Sequence, residues 1–285
     1  MGLSVTADGG RKTPWRDGSF GYVVPALLLI AFFFIVPVIM LLMRSVLEPT
    51  PGLQNYRELL GSTTYLRVLL NTFTVAGLVT IVSVLIGFPI AWLLAIMPER
   101  WSRLVLAIIV LSMWTNLLAR TYAWMVLLQR TGVVNKVLLS LGIIDKPLAL
   151  VNNLVGVSIG MTYIMLPFII LPLIGVLKSI DPAILRAAAL CGANKRQCFT
   201  RVLLPLSLPG IASGALMVFV MSLGYYVTPA LLGGTSNMML AELVAQFVQS
   251  LVNWGMGGAA ALVLLLVTLV LYTIQLKFVN PNRAR

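Results

Sequence analysis

Residues 179–211 read SIDPAILRAAALCGANKRQCFTRVLLPLSLPGI, the most polar and most basic interruption in a chain that otherwise reads as lipid-soluble. The stretch has its own punctuation. Asp181 is placed to cap a helix and Pro182 to occupy its first position, where a missing N–H costs nothing. AILRAAALC then reads as a short helix of two to three turns. Gly192 takes the left-handed conformation that ends such a helix. NKRQCFTRVLL is expected to begin a second helix at a new angle, stopped at Pro205 and redirected at Pro209. Ala187 and Ala188 give the first helix a small, smooth face suited to entering a groove on a partner.

Apolar segments lie on both sides. The chain has 285 residues, of which 60% are hydrophobic and 10% charged. Soluble domains carry about 25% charged residues, so this is an integral, multi-pass membrane protein. Six spans are expected, at residues 20–43, 72–97, 104–128, 153–177, 208–231 and 257–278. The fold class is therefore all-α, six transmembrane helices at 20–279, with tails at 1–19 and 280–285. With the N-terminus inside, thirteen of the twenty Lys and Arg fall on the inner side. That bias puts both termini and the 179–211 loop in the cytoplasm. The net charge of +12 reflects the same bias rather than nucleic-acid binding. Cys191 and Cys198 are too few and too local for a disulfide framework and read as reduced thiols.

Polar and aromatic side chains cluster inside the spans. The third span carries Trp114, Asn116, Arg120, Tyr122 and Trp124; the fourth carries Thr162 and Tyr163; the fifth ends in Tyr225, Tyr226 and Thr228. Trp114 and Asn116 read as too deep for an interfacial belt. Arg120 is costly in lipid and should face protein or water. These residues mark either a polar route through the bundle or hydrogen-bonding glue between helices. Pro167 and Pro229 each free a carbonyl four residues earlier, at Tyr163 and Tyr225. Each site is either a packing kink or the wall of a wet cavity. Gly156/Gly160 and Gly210/Gly214 have the spacing that lets helices approach closely.

The energy source is not in this chain. No GxxxxGK[ST] motif is present, histidine is absent, and all eight acids fall in tails or loops. Proton coupling normally uses an intramembrane carboxylate or histidine. A self-sufficient secondary transporter or channel is thus the weaker class, and no catalytic set is present. Something must push from outside, and the 179–211 loop is where it can.

That loop resembles the EAA loop of type I ABC importer permeases, whose pattern is E-A-A, three residues, G, nine residues, I-x-L-P. Ala187, Ala188, Gly192, Val202, Leu204 and Pro205 fall on it in register. Arg186 stands where the family has Glu, so the family's ionic contact is not available here. WTNLLARTYAWMVLLQRTGVVNKVLLSLG and GYYVTPALLGG are similar to the spermidine/putrescine branch. The resemblance implies the type I permease fold in a bacterial inner membrane, as a non-catalytic transport subunit. It implies a second permease, forming a heterodimer, and two cytoplasmic ATPases, which would hold ATP and Mg²⁺ so that this chain needs no cofactor. It also implies an extracytoplasmic substrate-binding protein. The ATPases would meet Arg186, Ala187, Ala188, Leu190, Gly192 and Ala193. The implied cargo is a polyamine, met by Trp114, Asn116, Arg120, Tyr122, Tyr163, Tyr225, Tyr226 and Thr228. Related branches carry opines, amino-acid-like amines or iron. The amphipathic outer segment AELVAQFVQSLVNW offers Glu242 as a binding-protein contact or packs at the interface.

Overall fold

The computed structural model describes residues 20–279, and every regular element in that range is helical. The expected tails at 1–19 and 280–285 lie outside the described residues. The first span is α1 (Phe20–Ile30), a π turn (Ala31–Ile35) and α2 (Val36–Leu47). Then α3 (Gln54–Gly61) leads into α4 (Thr63–Ile96), the second span. The third span is divided into α5 (Glu99–Met113) and α6 (Leu117–Leu128), followed by α7 (Val133–Ser140). The fourth is α8 (Leu154–Ser179), after which comes α9 (Pro182–Leu190). A continuous helix then runs through α10 (Lys195–Gln197), a π segment (Cys198–Leu203) and α11 (Leu204–Leu223). Past a break stand α12 (Val227–Leu232) and α13 (Leu240–Ala245), and α14 (Trp254–Val279) is the last span.

Five helices are long and apolar enough to cross a membrane, and α5 with the 117–140 segment makes a sixth that is bent by 97°. With the bent pair counted as one span, the described residues hold six, with two corrections to their shape. The third is not one helix over 104–128. It breaks at Trp114–Asn116, where the Asn116 side chain accepts from the N–H groups of Leu118 (2.9 Å) and Ala119 (3.2 Å). Asn116 is thus the cap of a new helix rather than a polar group deep in an old one. The fifth ends at Leu223 instead of 231, and Pro229 falls in the first turn of α12, where no helical partner for its nitrogen exists. Its expected kink in the fifth span is absent.

Pro205 does not stop a helix either. The π segment Cys198–Leu203 sits just upstream of it, and the helix continues to Leu223. Wider i→i+5 bonding displaces the acceptor pattern by one residue, which gives a proline ring room that an α turn lacks. The first span has the same arrangement, with Ala31–Ile35 widened ahead of Pro37.

The core is the trio α4, α8 and α11. Val75, Val79, Met161, Met165, Ile169, Leu173 and Val218 belong to its buried cluster. Ile169 of α8 is seated between two glycines, Gly87 of α4 and Gly214 of α11. Gly210 lies against Val176 in the same way, so the Gly210/Gly214 pair does bring two spans together. Of the other pair, Gly160 faces Thr228 and Leu232 of α12, and Gly156 faces the backbone of Leu150.

A second cluster of Leu59, Val68, Leu240, Leu243, Phe247, Met256 and Ala260 closes the end of the bundle away from α9. Polar bonds lock it. Buried Asn55 of α3 donates to the carbonyls of Ser45 (2.8 Å) and Glu48 (2.6 Å), and the Tyr56 hydroxyl lies 2.6 Å from Ser45 Oγ. Thr72 Oγ1 accepts from Leu240 N–H at 2.8 Å. The second span therefore begins at Thr63, earlier than the expected 72, because its first two turns already pack here.

Candidate coupling loop and pathway

The loop at 179–211 is built by local signals in series. Asp181 Oδ1 accepts from Ala183 N–H at 2.8 Å and Pro182 takes the first position of α9. Gly192 ends it at φ +85°. Gly192 N–H donates to the Ala189 carbonyl (3.0 Å) and Ala193 N–H to that of Ala188 (3.1 Å). This pair of bonds is the Schellman closure, and Ala193 is its last member. Asn194 and Gln197 then exchange side-chain bonds of 2.9 Å in a capping box that starts the next helix. Three devices thus fix both ends of α9 and the restart beyond it.

No residue of α9 is buried. Arg186, Ala187 and Leu190 are exposed, Leu190 to 89%, and Ala188 is half-exposed. Among the described residues Arg186 makes no ion pair. Leu185 turns inward and packs on the main cluster. The helix thus holds an apolar leucine and an alanine face out from the bundle.

The residues expected along a route divide into two groups. Arg120, Thr121 and Trp124 of α6 face α8 and the segment around α12. Thr121 Oγ1 lies 3.3 Å from Thr228 Oγ1, and both side chains are fully buried. The Trp124 and Tyr163 rings are 5.4 Å apart. They share the wall of an apolar cavity of about 420 Å³ with Thr162, whose buried hydroxyl has no partner. Arg120 reaches the Thr115 carbonyl at 3.4 Å, and its buried Nε has no hydrogen-bond partner among the described residues. The remaining residues are not gathered: Trp114 is 86% exposed, and Asn116, Tyr122 and Tyr226 are exposed as well. Thr121 was not legible as a partner of Thr228, since 107 residues separate them.

Glu242 occupies the third position of α13, where its carboxylate meets the Met239 N–H as a helix-start acid does. Its second oxygen, Oε2, is buried without a partner among the described residues. Burial pushes its carboxyl above the ordinary value, and the Met239 N–H offsets part of that.

The fold matches that of one chain in a solved structure. The permease-containing crystal structure of a bacterial alginate ABC transporter, in complex with an alginate pentasaccharide-bound periplasmic protein, aligns with a TM-score of 0.72 over 90% of this chain and 91% of that one, at 20% identity. The spermidine/putrescine transport system permease protein PotB of Salmonella typhimurium strain SL1344 is 35% identical over 215 residues, 75% of each chain. PotB of Haemophilus influenzae is 34% identical over 240 residues, 81% of this chain and 83% of its own. A family model matches residues 59–284, from the buried face of α3 through the loop with α9 to the last span. By that match, and with the α9 loop in its place between the fourth and fifth spans, the chain belongs to the family of binding-protein-dependent transport system inner membrane components.

Proposed function

We propose that this chain is the permease subunit of an ATP-driven importer and that it carries polyamines such as putrescine and spermidine. The observation that carries the importer reading is α9: a helix capped at both ends, with no buried residue, set between two spans of a chain that lacks a P-loop. Two ATPase subunits dock on Arg186, Ala187, Ala188, Leu190, Gly192 and Ala193, and they hold the ATP and Mg²⁺. The loop and both termini then lie in the cytoplasm. A second, similar permease completes the pathway as a heterodimer, and an extracytoplasmic binding protein delivers cargo near Glu242.

The polyamine reading rests on the relatives named above and on the rings along the route. Trp124 and Tyr163 offer π faces beside an apolar cavity that suits a methylene chain. Each such contact with an ammonium contributes about 0.5–2 kcal/mol, enough for weak, transient holding. One observation favours a second reading. The unpaired Nε of Arg120 suits a carboxylate, so an amine that also carries an acid group, such as an opine or an amino-acid derivative, is the alternative cargo.

The test is reconstitution with the ATPase, second permease and binding protein encoded beside it. The binding protein is first screened by thermal shift against putrescine, spermidine, amino-acid derivatives and non-amine controls. Uptake of the stabilising amine that depends on ATP supports the reading. Uptake without any ATPase, or absence of all three neighbours, sinks it.

A further inference from the structure

Behind α9 the packing is discontinuous. Two cavities, about 610 Å³ and about 300 Å³, open beneath the helix, and Trp92, Leu185 and Leu203 border both. A close-packed interior transmits displacement, whereas a void has no atoms with which to do so. Contact between the α9 loop and the second span is therefore concentrated in the few side chains around the cavities. Phe199 lines the smaller of the two, beside Trp92. Its ring lies 5.9 Å from Phe88, edge to face, and 5.6 Å from Trp92, both on α4. Phe199 belongs to the π segment, the irregular turn that joins the α9 loop to the fifth span. Segments of this kind are short, less favourably bonded and frequent at functional positions.

We propose that Phe199 is the positioning residue through which movement of α9 reaches the second span, with Trp92 as its receiver. This rests on the importer reading above. The ring couples three parts of the chain: the docking loop, the fifth span through the π segment, and the second span through Phe88 and Trp92. A displacement at α9 then moves two of the three core helices together rather than one.

The test uses the full reconstituted complex, with ATP hydrolysis and uptake measured in parallel. Phe199→Ala should co-purify with the ATPases and keep its basal hydrolysis. Stimulation by the loaded binding protein and uptake should both fall by about tenfold. Trp92→Ala should do the same, and the double variant should lose no more than either single, because both remove one shared contact. Phe199→Tyr should restore coupling, since the adjacent 300 Å³ cavity has room for a hydroxyl. Phe199→Leu covers the case in which alanine prevents assembly: it keeps the apolar volume and should still lose stimulation. Wild-type stimulation in Phe199→Leu overturns the proposal, as does a double variant whose losses multiply. Those results leave the importer reading standing. A wild-type chain that binds no ATPase overturns both.

Discussion

Ile169 of the fourth span seats directly on Gly87 of the second: a Cβ on Gly87 would lie 2.5 Å from Ile169 Cγ2. Ile169 cannot retreat, because a Cβ on Gly214 would stand 2.7 Å from its Cδ1 on the other side. Gly87→Ala should therefore destabilise the protein by about 1–3 kcal/mol, the usual range for overpacking a filled core. Gly77→Ala on the same helix, with nothing within 4 Å of the added carbon, should be neutral or stabilising. Thermal unfolding in detergent compares the two, and equal melting temperatures would refute the wedge.

Gly192 separates conformation from packing. It sits at φ +85° with open space around it, so a side chain there meets no clash and only backbone strain. Gly192→Val should tilt or fray the end of α9 at a cost of about 1–2 kcal/mol. Assembly with the ATPases should persist in part while uptake falls out of step with hydrolysis. Gly192→Asn, which tolerates this conformation, should recover much of the coupling. Normal uptake in the valine variant would contradict the docking role.

Asn55 holds the opposite end. Its amide serves one buried and one half-buried carbonyl, and Asn55→Ala removes the donor from both. A loss of about 1–3 kcal/mol is expected. Asn55→Asp should be at least as damaging, since a carboxylate oxygen would face those same acceptors. A melting temperature for either variant within error of wild type would show that α3 is not held this way.

Glu242 sets a pH dependence. Its folded-state value is raised above the ordinary 4.5, so the folded protein binds this proton more tightly than the unfolded chain. The stability this group contributes is thus fully present below about pH 4.5 and is lost as pH rises through the folded value. Glu242→Gln should melt higher than wild type at neutral pH and match it below pH 4.5. The glutamine oxygen can still accept from Met239. Parallel melting curves across pH would remove the claim that a buried charge strains α13.

Trp124 and Tyr163 test the cargo. Trp124→Ala or Tyr163→Ala should raise the KM for spermidine several-fold, in line with about 0.5–2 kcal/mol per ring contact, while Trp124→Phe retains most of the affinity. An unchanged KM in both alanine variants would move the route away from this cavity.

Hydropathy was sufficient to locate the spans because each span's composition reports burial in lipid whatever its shape. For the same reason it could not see the 97° bend in the third, where both halves are equally apolar. The signal was present in a different register: Asn116 with open N–H groups two and three residues on is a helix start. The ends of α9 were legible since Asp181, Pro182 and Gly192 act on their immediate neighbours. Pro205 misled because a π turn is a property of the backbone that no residue type announces. The Thr121–Thr228 contact and the Trp124–Tyr163 pair come from elements remote in sequence, so only packing reveals them.

The widened turn at Cys198–Leu203 amounts to a one-residue insertion within an otherwise continuous helix. One residue is about 100° of helical phase. Because the π turn holds its extra residue locally, removing one there would let it relax to α geometry with the flanking helices in nearly the same phase. Removing one from the α turns that follow would instead rotate everything upstream by that angle relative to the Gly210/Gly214 stripe that faces Val176 and Ile169. The compass bearing of α9 about the fifth span is thus buffered at a single place: the widened segment can lose a residue where the regular turns after it cannot.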